Sequence, residues 1–164
     1  MTIISMQNKL IVIFIILSSS LFAQITTTRM GHIKIGMRGK DIAEMHDRKT
    51  NYSLNNLKHQ GAILNVELNP GYLSKYEGDE YVTIISTQSK NLKTMSNIGV
   101  GNTLEDLWNT YHSKYTIDVS KEDEGLRTFT LEDAENGTRL LFDLKNNIII
   151  KISIYSYNPE ECFI

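Results

Sequence analysis

The chain has 164 residues, 17 of them basic and 19 acidic, for a formal net charge of −2. A balance this close to neutral argues against nucleic acid or an anionic membrane as the partner. The single cysteine, Cys162, cannot staple the chain to itself, so stability must come from packing, and the thiol is either free or paired with another chain.

Residues 1–23 carry one charge, Lys9, followed by an unbroken apolar run over 10–17 and the small Ala23. This pattern predicts a secretory signal peptide cleaved before Gln24, its apolar core too short to span a bilayer. An uncleaved anchor is the alternative, and Leu21 departs from the small residue preferred two positions before Ala23. No cysteine stands near the cut, so a lipoprotein anchor is not available.

Residues 33–46 read as a short strand, a glycine turn and a weak amphipathic helix, with Ile42, Ala43 and Met45 as its apolar face and Gly39 near its start. Residues 47–60 are polar and predict a loop with at most a helical turn. From Ala62 the pattern alternates: Ala62, Leu64, Val66 and Leu68 on one side, Ile63, Asn65 and Glu67 on the other, as in a half-buried strand. Asn69-Pro70-Gly71 predicts a turn, Tyr72 and Tyr76 bound a short strand, Glu77-Gly78-Asp79 turns again, and 81–87 is strand. Residues 88–97 predict a polar connector.

Residues 98–111 repeat the 33–46 pattern more strongly. Ile33 matches Ile98, Ile35 matches Val100, Gly36 matches Gly101 and Asp41 matches Asp106, at a constant offset of 65 residues. Leu104, Leu107, Trp108 and Tyr111 form one helical face, which places Trp108 in the core. Thr103 and Asp106 have the spacing of a capping pair, and Glu105 and Asp106 suit the positive end of the helix dipole. Gly99 and Gly101 allow backbone angles or close approaches that a Cβ forbids. Beyond the helix, 115–119 alternates, 120–125 is an acidic turn, and 127–132 alternates with Phe129 and Leu131 inward. Asn136-Gly137 turns, Leu140, Phe142 and Leu144 point inward, and Asn146-Asn147 turns. The last strand then puts Ile148, Ile150, Ile152 and Ile154 on one face and Ile149, Lys151, Ser153, Tyr155 and Tyr157 on the other.

A helix followed by a strand meander, twice over, predicts an α+β fold of two layers. Two tandem repeats, 24–92 and 93–164, would form one antiparallel sheet with the helices on one face.

Sites of chemistry are scarce. Gly99-Val100-Gly101 begins like a dinucleotide fingerprint, but Leu104 stands where its third glycine belongs. His32, His46, His59 and His112 show no ligand spacing on a helix, so neither a metal nor a cofactor is expected. His112 reads as a solvated helix end. No G-x-S-x-G occurs. Glu122-Asp123-Glu124 lacks the spaced oxygens of a calcium loop and reads as a solvated turn. Asn51-Tyr52-Ser53 and Asn136-Gly137-Thr138 match the glycosylation pattern, which matters only in a eukaryotic secretory pathway.

The I-x-[IV]-G turn before a capped helix, at 33–36 and 98–101, and the meander ending in an isoleucine-rich strand carry a resemblance. The chain resembles the tandem modules of the β-lactamase-inhibitor-protein-like superfamily and the related single modules of the SmpA/OmlA outer-membrane assembly lipoproteins. The resemblance implies a concave sheet that grips a protein partner, with helices behind it. The inhibitor's disulfides and the lipoproteins' acylated cysteine are both missing here, so neither specific activity carries over.

The residues left to do work are on the outward face of the sheet. Arg139, Lys151, Tyr155 and Tyr157 share that face by alternation, with Asp143 beside them, and tyrosine with arginine is the composition of interface anchors. Cross-strand pairing alone would also explain them. The reading is a periplasmic or secreted, non-enzymatic module holding a protein partner, such as an inhibitor, immunity or envelope-assembly factor, with no nucleic acid and no membrane span after cleavage. The alternatives are a self-associating structural envelope protein and an enzyme with no recognisable site.

Overall fold

The computed structural model describes residues 24–47, 53–70, 80–121 and 125–157. The expected signal segment 1–23, Asn51-Tyr52, Gly71, the strand expected between Tyr72 and Tyr76, Glu77-Gly78-Asp79, Glu122-Asp123-Glu124 and Cys162 lie outside them. Of the expected Asn69-Pro70-Gly71 turn, Asn69 and Pro70 are instead strand, paired with Tyr81 and Glu80.

The protein is α+β, with two helices and mostly strands. In chain order the elements are β1 (Gln24–Ile25), β2 (Arg29–Met30), β3 (Ile33–Lys34), α1 (Gly39–Met45), β4 (Ser53–His59), β5 (Ala62–Pro70) and β6 (Glu80–Thr87). There follow β7 (Lys93–Thr94), α2 (Leu104–Tyr111), β8 (Ile117–Lys121), β9 (Leu126–Asp133), β10 (Thr138–Lys145) and β11 (Ile148–Ser156). Seven strands make the main sheet in the order β4-β5-β6-β11-β10-β9-β8, and the short strands make a second sheet, β3-β2-β1-β7. Among the described residues no helix is long and apolar enough to cross a membrane.

The main sheet is antiparallel throughout, and its register explains the core. One row runs Leu131–Leu140–Ile154–Ile85–Val66–Leu54, and the next runs Phe129–Phe142–Ile152–Thr87–Leu64–Leu57. All these side chains are buried, because period-two alternation sends every second residue of each strand to the same face. Ile42, Leu107 and Tyr111 from the helices belong to the same apolar cluster. The Tyr111 ring lies 6.2 Å from that of Phe142, and its hydroxyl donates to Thr94 Oγ1 at 2.8 Å.

Local chemistry sets the boundaries. The predicted cap of α2 is complete: Thr103 Oγ1 accepts from the Asp106 amide at 3.1 Å, and Asp106 Oδ2 accepts from the Thr103 amide at 2.8 Å. Helix α1 has no side-chain cap at Arg38. Its expected apolar residue Met45 is 52% exposed, because seven residues give the helix barely two turns to bury. Gly101 has φ +100°, and a Cβ on Gly99 would stand 2.9 Å from the Leu92 carbonyl oxygen, so the two glycines serve the two different purposes anticipated for them. Asn146 and Asn147, at φ 52° and 63°, make a two-residue hairpin turn of the kind that suits the strand twist.

Further expectations are corrected. Residues 47–60 were expected to be loop, yet β4 occupies Ser53–His59. Its buried residues Leu54 and Leu57 are three apart, since a register shift with Asn56 at φ 58° interrupts the alternation that would have announced a strand. The connector 88–97 contains β7 and buries Leu92 and Thr94. In β11, Ile149 is 1% exposed while Ile148 and Ile150 are 47% and 40% exposed. A bulge opposite Asp143/Leu144 leaves Ile150 unpaired and reverses the phase before it, whereas residues from Lys151 onward keep the predicted phase.

Candidate functional site

The outward face of the main sheet starts from the same register. Glu132, Arg139, Tyr155, Ile84 and Glu67 form one row across β9, β10, β11, β6 and β5. Thr128, Asp143 and Lys151 form a parallel row two pairs further along. Between them Ser153 is buried with its hydroxyl unpartnered.

Three of the four predicted residues meet. Arg139 lies directly opposite Tyr155, and its guanidinium sits 4.3 Å from the centroid of the Tyr157 ring. The Tyr157 hydroxyl donates to Glu132 Oε1 at 2.7 Å, and Arg139 Nη2 reaches the same oxygen at 3.4 Å. These contacts hold the Glu132 carboxyl below its ordinary pKa: the Tyr157 hydrogen bond contributes most, burial opposes it, and Arg139 adds to the lowering. Lys151 stands apart from the trio. It is four residues from Tyr155, about 13 Å along a strand, and pairs with Asp143 at 3.9 Å. Thr128 donates to the other oxygen of Asp143 at 3.3 Å.

Exposed ion pairs of this kind contribute about 0–1 kcal/mol each, and an exposed cation–π contact about 0.5–1 kcal/mol. Their main effect is to hold an arginine and a tyrosine in fixed orientation on a half-exposed surface. The face presents an aromatic ring, a guanidinium and two carboxylates.

Trp108 corrects an expectation. It is 50% exposed instead of buried in the core. At about 100° per residue Leu107 and Trp108 stand at opposite edges of the apolar arc of α2, about 100° apart with Tyr111 between them, and the core takes the Leu107–Tyr111 side. Its ring stacks on His112 at 5.6 Å with an interplanar angle of 6°, and His112 Nδ1 lies 2.7 Å from the Trp108 carbonyl oxygen. His112 is thus tied to the last turn of the helix. Trp108 also lines an open groove of ≈ 620 Å³ with Leu104, Val119, Asn147 and Ile148.

Sequence reasoning also missed a histidine cluster. His32 Nδ1 lies 2.9 Å from His59 Nδ1, and His32 Nε2 lies 3.0 Å from His46 Nε2. The three come from the β2–β3 turn, the end of β4 and the C-cap of α1. No spacing rule links such positions, so no sequence signal announced them. Burial first, then the neighbouring charges of His59 and His46, pull the His32 pKa below its ordinary value.

No family model, no curated protein and no solved structure matches the chain.

Proposed function

We propose that this protein is a non-enzymatic binding module that holds a protein partner on the outward face of its seven-stranded sheet. Arg139, Tyr155 and Tyr157 are the anchors and Lys151 marks the rim. The observation that carries this reading is the ordered trio on a half-exposed face: Arg139 registered against Tyr155 and stacked on Tyr157. Pre-oriented aromatic and arginine side chains lose little further freedom on binding, which is what favours them as anchors.

The module is a tandem repeat of two layers, with both helices on one face of the sheet. Matching hydrogen bonds support this. Gly36 N–H donates to the Val82 carbonyl at 2.9 Å as Gly101 N–H donates to that of Ile149 at 2.9 Å. Val82 N–H donates to Met37 O as Ile149 N–H donates to Asn102 O, each at 2.9 Å. The bridges Arg38↔Tyr81 and Thr103↔Ile148 lie beside them. Each half thus hangs its helix N-terminus from its own final strand, and the two final strands, β6 and β11, pair at the centre. This supports the β-lactamase-inhibitor-protein-like reading, and with it a partner that is a target enzyme, a toxin or an envelope component. The 1–23 pattern supports export to the periplasm or beyond.

A second surface is favoured by the exposure of Trp108, the residue type most enriched at binding hot spots, beside Val119 and Ile148 in the groove. The test is capture of the partner from envelope extract, followed by calorimetry on the purified pair. Tyr155→Ala or Tyr157→Ala should weaken binding by about 2 kcal/mol or more. If both variants bind as tightly as the parent while Trp108→Ala does not, the groove replaces the sheet face. If none of the three matters, the binding-face reading is wrong.

A further inference from the structure

The histidine cluster is a chain, His59–His32–His46, in which the central ring spends both nitrogens on its neighbours. Among the described residues no group of three His, Cys, Asp or Glu side chains is placed to hold a metal ion. The arrangement therefore has to be understood through its hydrogens.

A nitrogen-to-nitrogen contact of 2.9–3.0 Å is a hydrogen bond only if one hydrogen lies between the two rings. Two hydrogens there set donor against donor, and none leaves acceptor against acceptor. A neutral imidazole carries one N–H and a charged one carries two. If His46 is charged, its Nε2–H faces His32, so His32 must keep its own hydrogen on Nδ1, and His59 must then be neutral. The same count from His59 leaves His46 neutral. If His32 itself is charged, it donates to both neighbours, and both must be neutral. Any second charge breaks one contact.

We infer that the chain His59–His32–His46 is an acid-sensitive latch: it accommodates one proton with both contacts intact, and a second proton opens it. The opening frees the C-cap of α1 or the end of β4 from the β2–β3 turn. The charged groups facing His32 are His59 from β4 and His46 from α1. Exposed Glu44, Asp47 and Lys58 flank those two in the chain. The fold builds this contact closely. Gly31, at φ +62°, lies where a Cβ would stand 2.5 Å from the His59 ring, so the turn can approach the ring only without a side chain. Histidine is the side chain whose unperturbed charge change falls between about pH 5 and 8, and the second proton enters against the charge of the first, so opening belongs to the acid side of that range.

The test is a pH titration of the imidazole nitrogens by NMR on 15N-labelled protein, with amide exchange measured at each pH. The expected result is one proton taken up without effect on the amides of 30–33, 44–47 and 57–61. Uptake of the second should coincide with exchange on the order of tenfold faster in those segments, while the β9–β10 turn is unaffected. In His32→Gln the two remaining histidines should titrate independently, with exchange in the same segments no longer coupled to pH. If that variant does not fold, His46→Gln leaves the His32–His59 contact, and acid opening should then be confined to 30–33 and 57–61 and spare 44–47. Three protons entering with no change in exchange would overturn the inference. So would protection of these segments by one equivalent of zinc chloride near neutral pH, since the rings would then meet over a metal.

Discussion

Two adjacent residues of α2, Leu107 and Trp108, offer a sharp test of how this helix is seated. Leu107 is fully buried in the apolar cluster. Leu107→Ala removes its packing and leaves a hole that a sheet-backed core cannot close, so a loss of about 3–5 kcal/mol is expected. Trp108 is half-exposed. A large aromatic buries roughly 150–250 Å² when fully covered, so about 100 Å² is at stake here. At about 25 cal/mol per Å² that is about 2.5 kcal/mol, reduced to about 2 kcal/mol for a realistically compact unfolded chain. Water fills the space left by Trp108→Ala, so no cavity cost is added. The assay is urea denaturation followed by far-ultraviolet circular dichroism, because the second variant removes the only tryptophan. In the parent protein, acrylamide should quench native tryptophan emission readily. A loss for Trp108→Ala equal to or above that for Leu107→Ala, or emission shielded from acrylamide, would mean that the helix faces the sheet differently. The groove would then be no binding surface.

Other substitutions probe the bulge, the cap and the leader. Ile149→Ala should destabilise by about 2–5 kcal/mol, whereas Ile150→Ser should cost only about 1 kcal/mol, since that side chain is partly exposed; equal effects in chemical denaturation would refute the bulge. Thr103→Ala should cost about 1 kcal/mol by removing the acceptor for the Asp106 amide, and an unchanged melting curve would show the cap to be idle. The Asp106 carboxyl is held below its ordinary pKa, chiefly by the Thr103 backbone N–H and further by the Asn102 and Thr103 side chains. With the folded value depressed, its stabilisation is complete above the unfolded value near about pH 4 and is lost as pH falls through the folded value. Asp106→Asn should therefore flatten that part of the stability–pH curve, and an identical acid limb in the variant would contradict the assignment. N-terminal sequencing of protein recovered from envelope or medium should start at or close to Gln24, and an intact Met1 in the membrane pellet would indicate an anchor.

Much of the fold was legible because it depends on neighbours in the chain. Alternation in 62–68, 127–132 and 140–144 specifies which side chains share a face, since the strand repeat is two residues whatever the strand pairs with. The Thr103–Asp106 cap and the Asn146-Asn147 turn are contacts within a few residues, and their chemistry is set by residue type alone. The outward placement of Arg139, Tyr155 and Tyr157 was legible for the same reason, because the bulge in β11 falls before Lys151 and leaves the later residues in phase. Other features belong to relations between distant segments. Strand β4 is a strand because β5 pairs with it, and its interrupted alternation carries no period to read. Trp108 is half-exposed because the core takes the Leu107 edge of the α2 stripe and leaves the opposite edge uncovered. Strands β6 and β11 pair at the centre of the sheet, with Ile84 opposite Tyr155, which no local pattern specifies. The three histidines meet only when a turn, a helix end and a strand end are brought together, and the proton count that governs them exists only at that meeting. Local periodicity and turn chemistry were properties of the sequence itself; strand partners, the side of a helix that stays wet and the convergence of remote titratable groups were decided by packing, because each depends on what the rest of the chain places alongside.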